Sequence, residues 1–329
     1  MGHPLPHHPR GSGRFGSHIV PAMGSIMTVT GEAPSAEAGA VLMHEHIMCD
    51  LYRISLNSDH LLDDVDLAVS ELRYLDVTPV RTVVDVTSVG LGRDLETLRG
   101  IAVRTNLNIV AGSGWYRDPY LPPEVFRETS DSLAEILISE IEEGLGDTRI
   151  RPGIIGEIGA LRSPMSPAEE RVLRAGGFAQ LETGVSIYTH AARSTVGIEQ
   201  AEILVRMGVP PDRIVIGHSD TVPRKEYWTA LLDMGVTLGF DTVRPHFPYD
   251  LKVRVAALEW LAERGSLDRV VVSNDVCFRS HLRAFGGGGY PFCAADFFDA
   301  LRRVGFGDQE YQTIFRDNPV RLLERSNDS

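Results

Sequence analysis

The chain has 329 residues, 43% of them hydrophobic and 23% charged, with a formal net charge of -13. That balance suits a soluble globular protein and disfavours nucleic acid or an anionic membrane as a partner, and no apolar run approaches the roughly 20 residues that span a bilayer. Three widely spaced cysteines, Cys49, Cys277 and Cys293, suggest neither a disulfide framework nor a CxxC zinc site, and fit a reducing, cytoplasmic location.

Met1 to about Gly24 is rich in Gly, Pro and His without helical or strand periodicity. It reads as a tag or an over-extended start, with Met23 or Met27 as the alternative start, and its histidines are set aside. From about residue 25 to 329, strand-like and helix-like segments alternate. Val41–Met43 is the first strand, followed by a helical stretch from about His60 to Leu75. Arg81–Thr87, Asn108–Gly112 and Gly153–Ile158 are strands, separated by helices over Leu95–Arg104 and Leu133–Gly144. A helix over Pro167–Gly176 has its proline in the first turn. The second half repeats the rhythm. Strands over Val185–His190, Arg213–His218, Val236–Asp241 and Val270–Asp275 alternate with helices over Gly197–Met207, Pro223–Met234 and Leu251–Arg264. A Gly-rich loop, Arg279–Tyr290, precedes a last helical region and could act as a lid or as a plain connection. Apolar strands alternating with amphipathic helices imply a parallel sheet covered on both faces. Eight such units predict one α/β domain, a closed (β/α)8 TIM barrel with its active site at the C-terminal mouth. An open doubly wound sheet is the alternative, and the lack of a Gly-x-Gly-x-x-Gly after the first strand argues against its nucleotide-binding version.

The first strand runs into His44-Glu45-His46. Alternate strand residues share a face, so His44 and His46 can aim at one point. Glu157, His190, His218 and Asp275 also stand at the ends of separate apolar runs. Singly, each has an ordinary explanation: a strand-end charge, a satisfied core histidine, or a helix cap at Asp275. Together they would ring one mouth, where a barrel gathers its catalytic groups. Four imidazoles and two carboxylates suit two divalent ions, zinc first and manganese, cobalt or iron next, with one carboxylate bridging.

These residues carry a resemblance. With Val84-Asp85-Val86-Thr87, Gly92-Arg93-Asp94, Gly153-Ile154-Ile155-Gly156-Glu157, Thr189-His190, Ile216-Gly217-His218-Ser219-Asp220, Ser273-Asn274-Asp275 and Asp317-Asn318-Pro319, the chain resembles the phosphotriesterase family of the amidohydrolase superfamily, from about Thr28 to Leu323. The resemblance implies a (β/α)8 barrel, often a homodimer. It implies that His44, His46 and Asp275 hold the buried metal and His190 and His218 the more exposed one. Glu157 would bridge, in place of the carboxylated lysine of the best-known members, as in the phosphotriesterase-related branch. A hydroxide shared by the ions would attack, and Asp275 would take its proton. The pattern is broken at Thr221 and Thr242, where phosphotriesterases proper place the acid and the histidine of a proton relay. The resemblance therefore does not carry over the relay, nor with it efficient paraoxon-type hydrolysis.

Tyr116 stands where lactonases of the family place a tyrosine near the metals. Arg193, Arg244 and Arg279 follow metal-bearing or adjacent strands and could clamp an anionic group of the substrate. Trp115 and His246 are further candidates for the pocket wall. The expected activity is metal-dependent hydrolysis of a lactone or carboxylic ester of a small, anionic molecule. The alternatives are hydrolysis of an amide in an N-acyl amino acid or of a phosphotriester, and a barrel that binds metal or ligand without turnover.

Overall fold

A computed structural model describes residues 24–245 and 251–325. At its centre are eight parallel strands: β1 (Ala40–Glu45), β2 (Val80–Asp85), β3 (Asn108–Ser113), β4 (Ile154–Gly159), β5 (Ile187–His190), β6 (Ile214–Ile216), β7 (Thr237–Phe240) and β8 (Val270–Val272). Each pairs with its neighbour in chain order. The seam between β8 and β1 is joined where the Asp275 N–H donates to His44 O at 3.2 Å and the His46 N–H donates to Val276 O at 3.0 Å. Glu45 fastens the same seam, since its carboxylate accepts from the N–H groups of Asn274 and Val276 and from the side chains of Ser273 and Asn274. The sheet is thus a closed barrel, and the open alternative falls away.

Helices α1 (Val65–Leu72), α2 (Leu95–Thr105), α3 (Ser130–Glu143), α4 (Pro167–Thr183), α5 (Val196–Arg206), α6 (Lys225–Asp233) and α7 (Leu251–Glu263) follow the strands in turn, and α8 (Phe298–Arg302), α9 (Asp308–Gln312) and α10 (Asn318–Leu323) follow β8. The first four helices begin where a side-chain oxygen caps them: Asp64, Asp94, Thr129 and Ser166 each accept from an N–H of the first turn. This explains why the helix expected from His60 begins only at Val65. The residues before Asp64 form a 3-10 turn and a two-residue strand, Leu61–Leu62, paired with Cys49–Asp50. Likewise α4 does not stop at Gly176. A Cβ there would press on Ile158 at 2.7 Å, so the glycine is a close-approach residue, and the helix ends at Gly184, whose φ of 71° suits a left-handed cap.

Alternation along the strands gives two apolar layers. Val41, Met43, Val84, Val110, Tyr188 and Val271 fill the barrel, whose lower end is plugged by Ile26 and by Leu322 and Leu323 of α10. Leu42, Val83, Ile109, Ile155, Leu238 and Val272 face the helices. Ile26 lies in a hairpin strand, Ser25–Thr28, so a start at Met27 would remove a fully buried residue. The expected tag region up to Met23, and His246, lie outside the described residues. No helix among the described residues is long and apolar enough to cross a membrane.

Candidate metal centre

Val41 and Met43 point into the barrel, so simple alternation would send Glu45 inward and the two histidines outward. The register of β1 against β2 instead runs Leu42↔Val83, then Glu45↔Asp85, which gives β1 one extra residue. Such a bulge re-aims the side chains beyond it, and His44 and His46 turn inward. A second bulge lies in β4, where Ile155↔Ile187 is followed by Ile158↔Thr189. It turns Glu157 inward beyond Ile154. His190 needs no such device, standing two residues after the inward Tyr188. His218 and Asp275 lie two and three residues past the ends of β6 and β8 and adopt φ values of 55° and 54°. Left-handed backbone costs a non-glycine residue about 1–3 kcal/mol and persists only where its surroundings hold it. Here the His218 N–H is held by Asp241 Oδ1 at 3.0 Å, and the Asp275 N–H by His44 O.

The two oxygens of Glu157 face different partners. Oε2 lies 3.8 Å from His44 Nε2 and 3.6 Å from His46 Nε2, and Asp275 Oδ1 lies 3.7 and 3.6 Å from the same two nitrogens. Ligands about 2.0–2.2 Å from a tetrahedral ion stand apart by about this much. Oε1 lies 2.9 Å from His218 Nε2 and in close contact with His190 Nδ1, and those two nitrogens are 2.8 Å apart. His44 Nε2 is buried without a hydrogen-bond partner, as a nitrogen reserved for a cation would be. The six residues singled out in the sequence are therefore brought together, as two donor groups sharing one carboxylate. Their chemistry fits a pair of divalent ions.

Behind the donors stands Asp241, which the sequence reading passed over. Its Oδ1 accepts from His218 Nδ1 at 2.7 Å, and its Oδ2 accepts from Tyr188 OH at 2.7 Å and faces His44 Nδ1 at 3.2 Å. One carboxylate so orients a histidine of each donor group, the support that metal-binding imidazoles ordinarily have. Gly239 makes room for it: a Cβ there would stand 2.6 Å from Tyr188 OH and 2.8 Å from Asp241 Oδ2. Thr87 plays the same part for His46, with Oγ1 2.9 Å from Nδ1. Asp241 stands at the end of an apolar strand, as the other site residues do, so the rule that selected them would have found it.

Electrostatics follow from burial and pairing. Burial alone would raise Glu157, but the His190 and His44 charges and the bonds from His190 and His218 hold it well below the usual carboxylate range. Burial would lower His218, but Asp241 and Glu157 outweigh it and hold it well above its ordinary value. Burial pushes His190 down to about 4. For Asp275, burial is again outweighed, chiefly by Arg244, and the carboxyl stays below its ordinary value.

Above the cluster opens a cavity of about 360 Å³, whose floor includes His46, Glu157, His190, His218 and Asp275. His44 is fully buried beneath. Tyr116 lines the wall, its OH 3.4 Å from His190 Nδ1. Arg193 and Arg244 line it too. Arg244 donates to Asp275 Oδ2 at 3.0 Å and to the carbonyls of Asn274 and Asp275. Arg279 is not among the lining residues, because Leu61 O and Asp63 take its guanidinium at 2.8 Å each. Trp115 is buried in the outer layer instead. Thr242 and Thr221 line the cavity, and Thr242 donates to the buried carboxylate of Asp220, which Arg254 also holds. The loop Arg279–Tyr290 is fastened rather than loose: the Glu71 carboxylate accepts the N–H groups of Arg283 and Ala284, and Asp59 accepts both the N–H and the hydroxyl of Ser280. Arg117, Tyr120, His60 and Phe278, none of them singled out in the sequence, also line the wall.

A sequence model of the phosphotriesterase family matches residues 24–323. The phosphotriesterase homology protein of Escherichia coli is 34% identical over 286 residues, 87% of this chain and 98% of that protein. Its crystal structure, complexed with phosphate in the active site, superposes with a TM-score of 0.85 over 88% of this chain and 99% of that one. An N-acetyltaurine hydrolase from Dictyostelium discoideum is 30% identical over 83% of this chain and 77% of that protein. A lactonase from Listeria monocytogenes is 26% identical, with a TM-score of 0.85 over 92% of this chain and all of that one.

Proposed function

The chain belongs to the phosphotriesterase family, and on that footing we propose that this hydrolase uses two divalent ions to cleave a lactone or carboxylic ester of a small anionic molecule. The observation that carries the reading is the carboxylate of Glu157, turned with one oxygen to His44 and His46 and the other to His190 and His218. His44, His46 and Asp275 would hold one ion, His190 and His218 the other, and Glu157 both. Bound there, the ions would supply an acidified water and polarisation of the scissile carbonyl. Zinc is the first choice for this nitrogen-rich donor set, with manganese, cobalt or iron behind it. Asp275 is kept ionised, with Oδ2 held by Arg244 and Oδ1 turned to the donor group of His44 and His46, so its carboxylate can take the proton of the attacking water. Tyr116 keeps its phenol proton, because burial raises it well above its ordinary value, and can donate to the developing oxyanion. Arg193 is a candidate contact for the substrate's charge.

The second reading is an amide, as in an N-acyl amino acid, supported by the similarity to an N-acetyltaurine hydrolase. A phosphotriester is a weaker choice, because Thr221 and Thr242 offer no titratable relay behind Asp275. The same reading includes a homodimer, to be checked by light scattering, and a reducing location suited to three buried free cysteines. The test has two parts. Metal analysis should find close to two ions per chain. A panel of lactones, esters, N-acyl amino acids and phosphotriesters, with zinc or manganese and a chelated control, should give metal-dependent turnover of the first two classes. Asp275→Asn should keep bound metal and lose about 100- to 10,000-fold in turnover. Full activity in that variant, or no turnover of any class with both ions bound, would refute the proposal.

A further inference from the structure

The arginines at the mouth are not equivalent. Arg244 is engaged by Asp275 and Arg279 by Asp63. Arg117 is held differently. Its Cζ lies 4.8 Å from the Tyr116 ring centroid and 5.6 Å from that of Tyr120, so the guanidinium rests among two aromatic rings. NH1 donates to Asp118 O at 2.6 Å, but Nε is buried without a hydrogen-bond partner, and among the described residues no carboxylate pairs with Arg117. The adjacent Asp118 carboxylate is turned to Ser166, with its Oδ2 accepting from Ser166 Oγ at 2.6 Å. A guanidinium has five donors in a rigid fork and keeps its charge at any physiological pH. The two rings lie side by side, their centroids 5.4 Å apart, and so support the guanidinium from one side; its edge is the direction in which such a group grips an oxyanion through two parallel bonds. Arg117, Tyr116 and Tyr120 line the same cavity as Glu157 and His190. The cavity also includes Phe278 stacked on His60 at 3.9 Å, an aromatic surface without a fixed positive charge.

We propose that Arg117, supported by the neighbouring rings of Tyr116 and Tyr120, reads the substrate's negative charge: a carboxylate or sulfonate borne a few bonds from the scissile carbonyl. This rests on the reading of the mouth as an ester- or amide-cleaving site, and it makes Arg117 a specificity residue rather than a catalytic one. The experiment uses the full-length protein loaded with zinc and the variants Arg117→Met and Arg117→Lys, each with its metal content measured. One arm compares kcat/KM for mono-4-nitrophenyl succinate and 4-nitrophenyl acetate, which share a leaving group and differ in a carboxylate. The other measures binding of glutarate against butyrate by calorimetry, with no turnover required. Wild type should favour the charged member of each pair by about 10- to 100-fold, the usual worth of a hydrogen bond to a charged group. Arg117→Met should abolish that preference with metal content unchanged, any loss on 4-nitrophenyl acetate through Tyr116 being smaller than the loss on the charged ester, and Arg117→Lys should restore part of the preference. Equal losses on both esters, no preference in wild type, or a preference that survives Arg117→Met would overturn the proposal. Glutarate preference lost in Arg117→Met, from a protein that cleaves no ester or amide, would sink the hydrolase reading and leave Arg117 standing. Turnover of both esters alike would do the reverse.

Discussion

Asp241→Asn is the sharpest test of how the centre is built. The two side chains have nearly the same shape, so packing is kept, but one oxygen becomes an NH2 group. Asp241 Oδ1 accepts from the N–H of His218 at 3.0 Å and from its Nδ1 at 2.7 Å, while Oδ2 accepts from Tyr188 OH at 2.7 Å and faces His44 Nδ1 at 3.2 Å. Whichever way the amide turns, a donor meets a donor. The loss of one bond to a buried charged group amounts to about 1.5–3 kcal/mol, or about 3–8 °C in Tm for a chain of this size. Weakened support for a metal-binding histidine costs about 10- to 100-fold in affinity. His44 and His218 belong to different donor groups, so both ions should bind more weakly in the one variant. The assay is competition with a chelator of known affinity, read as ions retained per chain, beside thermal melts of the stripped protein. Wild-type affinity at both positions would refute the role given to Asp241. Loss at one position alone would show that it supports a single histidine.

Glu157→Gln should reduce tightly held metal from two ions per chain to fewer than one, because both donor groups lose the same anion. Two ions surviving dialysis would contradict the bridge. Stripping the wild-type protein with a chelator should lower Tm reversibly, and zinc at about a thousand times its Kd should restore about 4 kcal/mol, measured by unfolding with and without the ion. Arg244→Met removes the main charge that holds Asp275 below its ordinary value. The acid limb of the kcat/KM profile should then move to higher pH, and an unmoved limb would separate Asp275 from that limb. His281 concerns stability. Burial, and then the Arg244 charge, push it down to about 3, and its Nδ1 accepts the Cys277 N–H at 3.2 Å. The unfolded chain takes up that proton near pH 6.5, so the contribution of His281 is whole above 6.5 and is lost as pH falls towards 3. The stability gap between wild type and His281→Asn should shrink by about 2–3 kcal/mol from pH 7.5 to 4.5 in denaturant titrations. A gap independent of pH would contradict this.

The repeat of apolar strands and amphipathic helices was legible because each barrel strand is buried on both faces, which forces continuous Val and Ile. Ligand types were legible because polar residues at the ends of such strands need a reason to be there. Less was legible at Arg279, whose partner Asp63 lies more than two hundred residues earlier, and at Arg117, which lies in a loop without periodicity. The fastening of the Arg279–Tyr290 loop depends on Glu71 and Asp59, which no local pattern links to it.

The sequence by itself determined the barrel, its order and the chemical kinds of the six donors, because burial and period leave their mark on each segment independently. Their aim was decided only by tertiary structure. Bulges in β1 and β4 overturn the parity that alternation would assign to His44, His46 and Glu157, and a bulge exists only against a paired neighbour. The support of two donor groups by Asp241, like the division of the arginines between internal partners and the open mouth, is a relation between distant residues that comes into being only when the barrel closes.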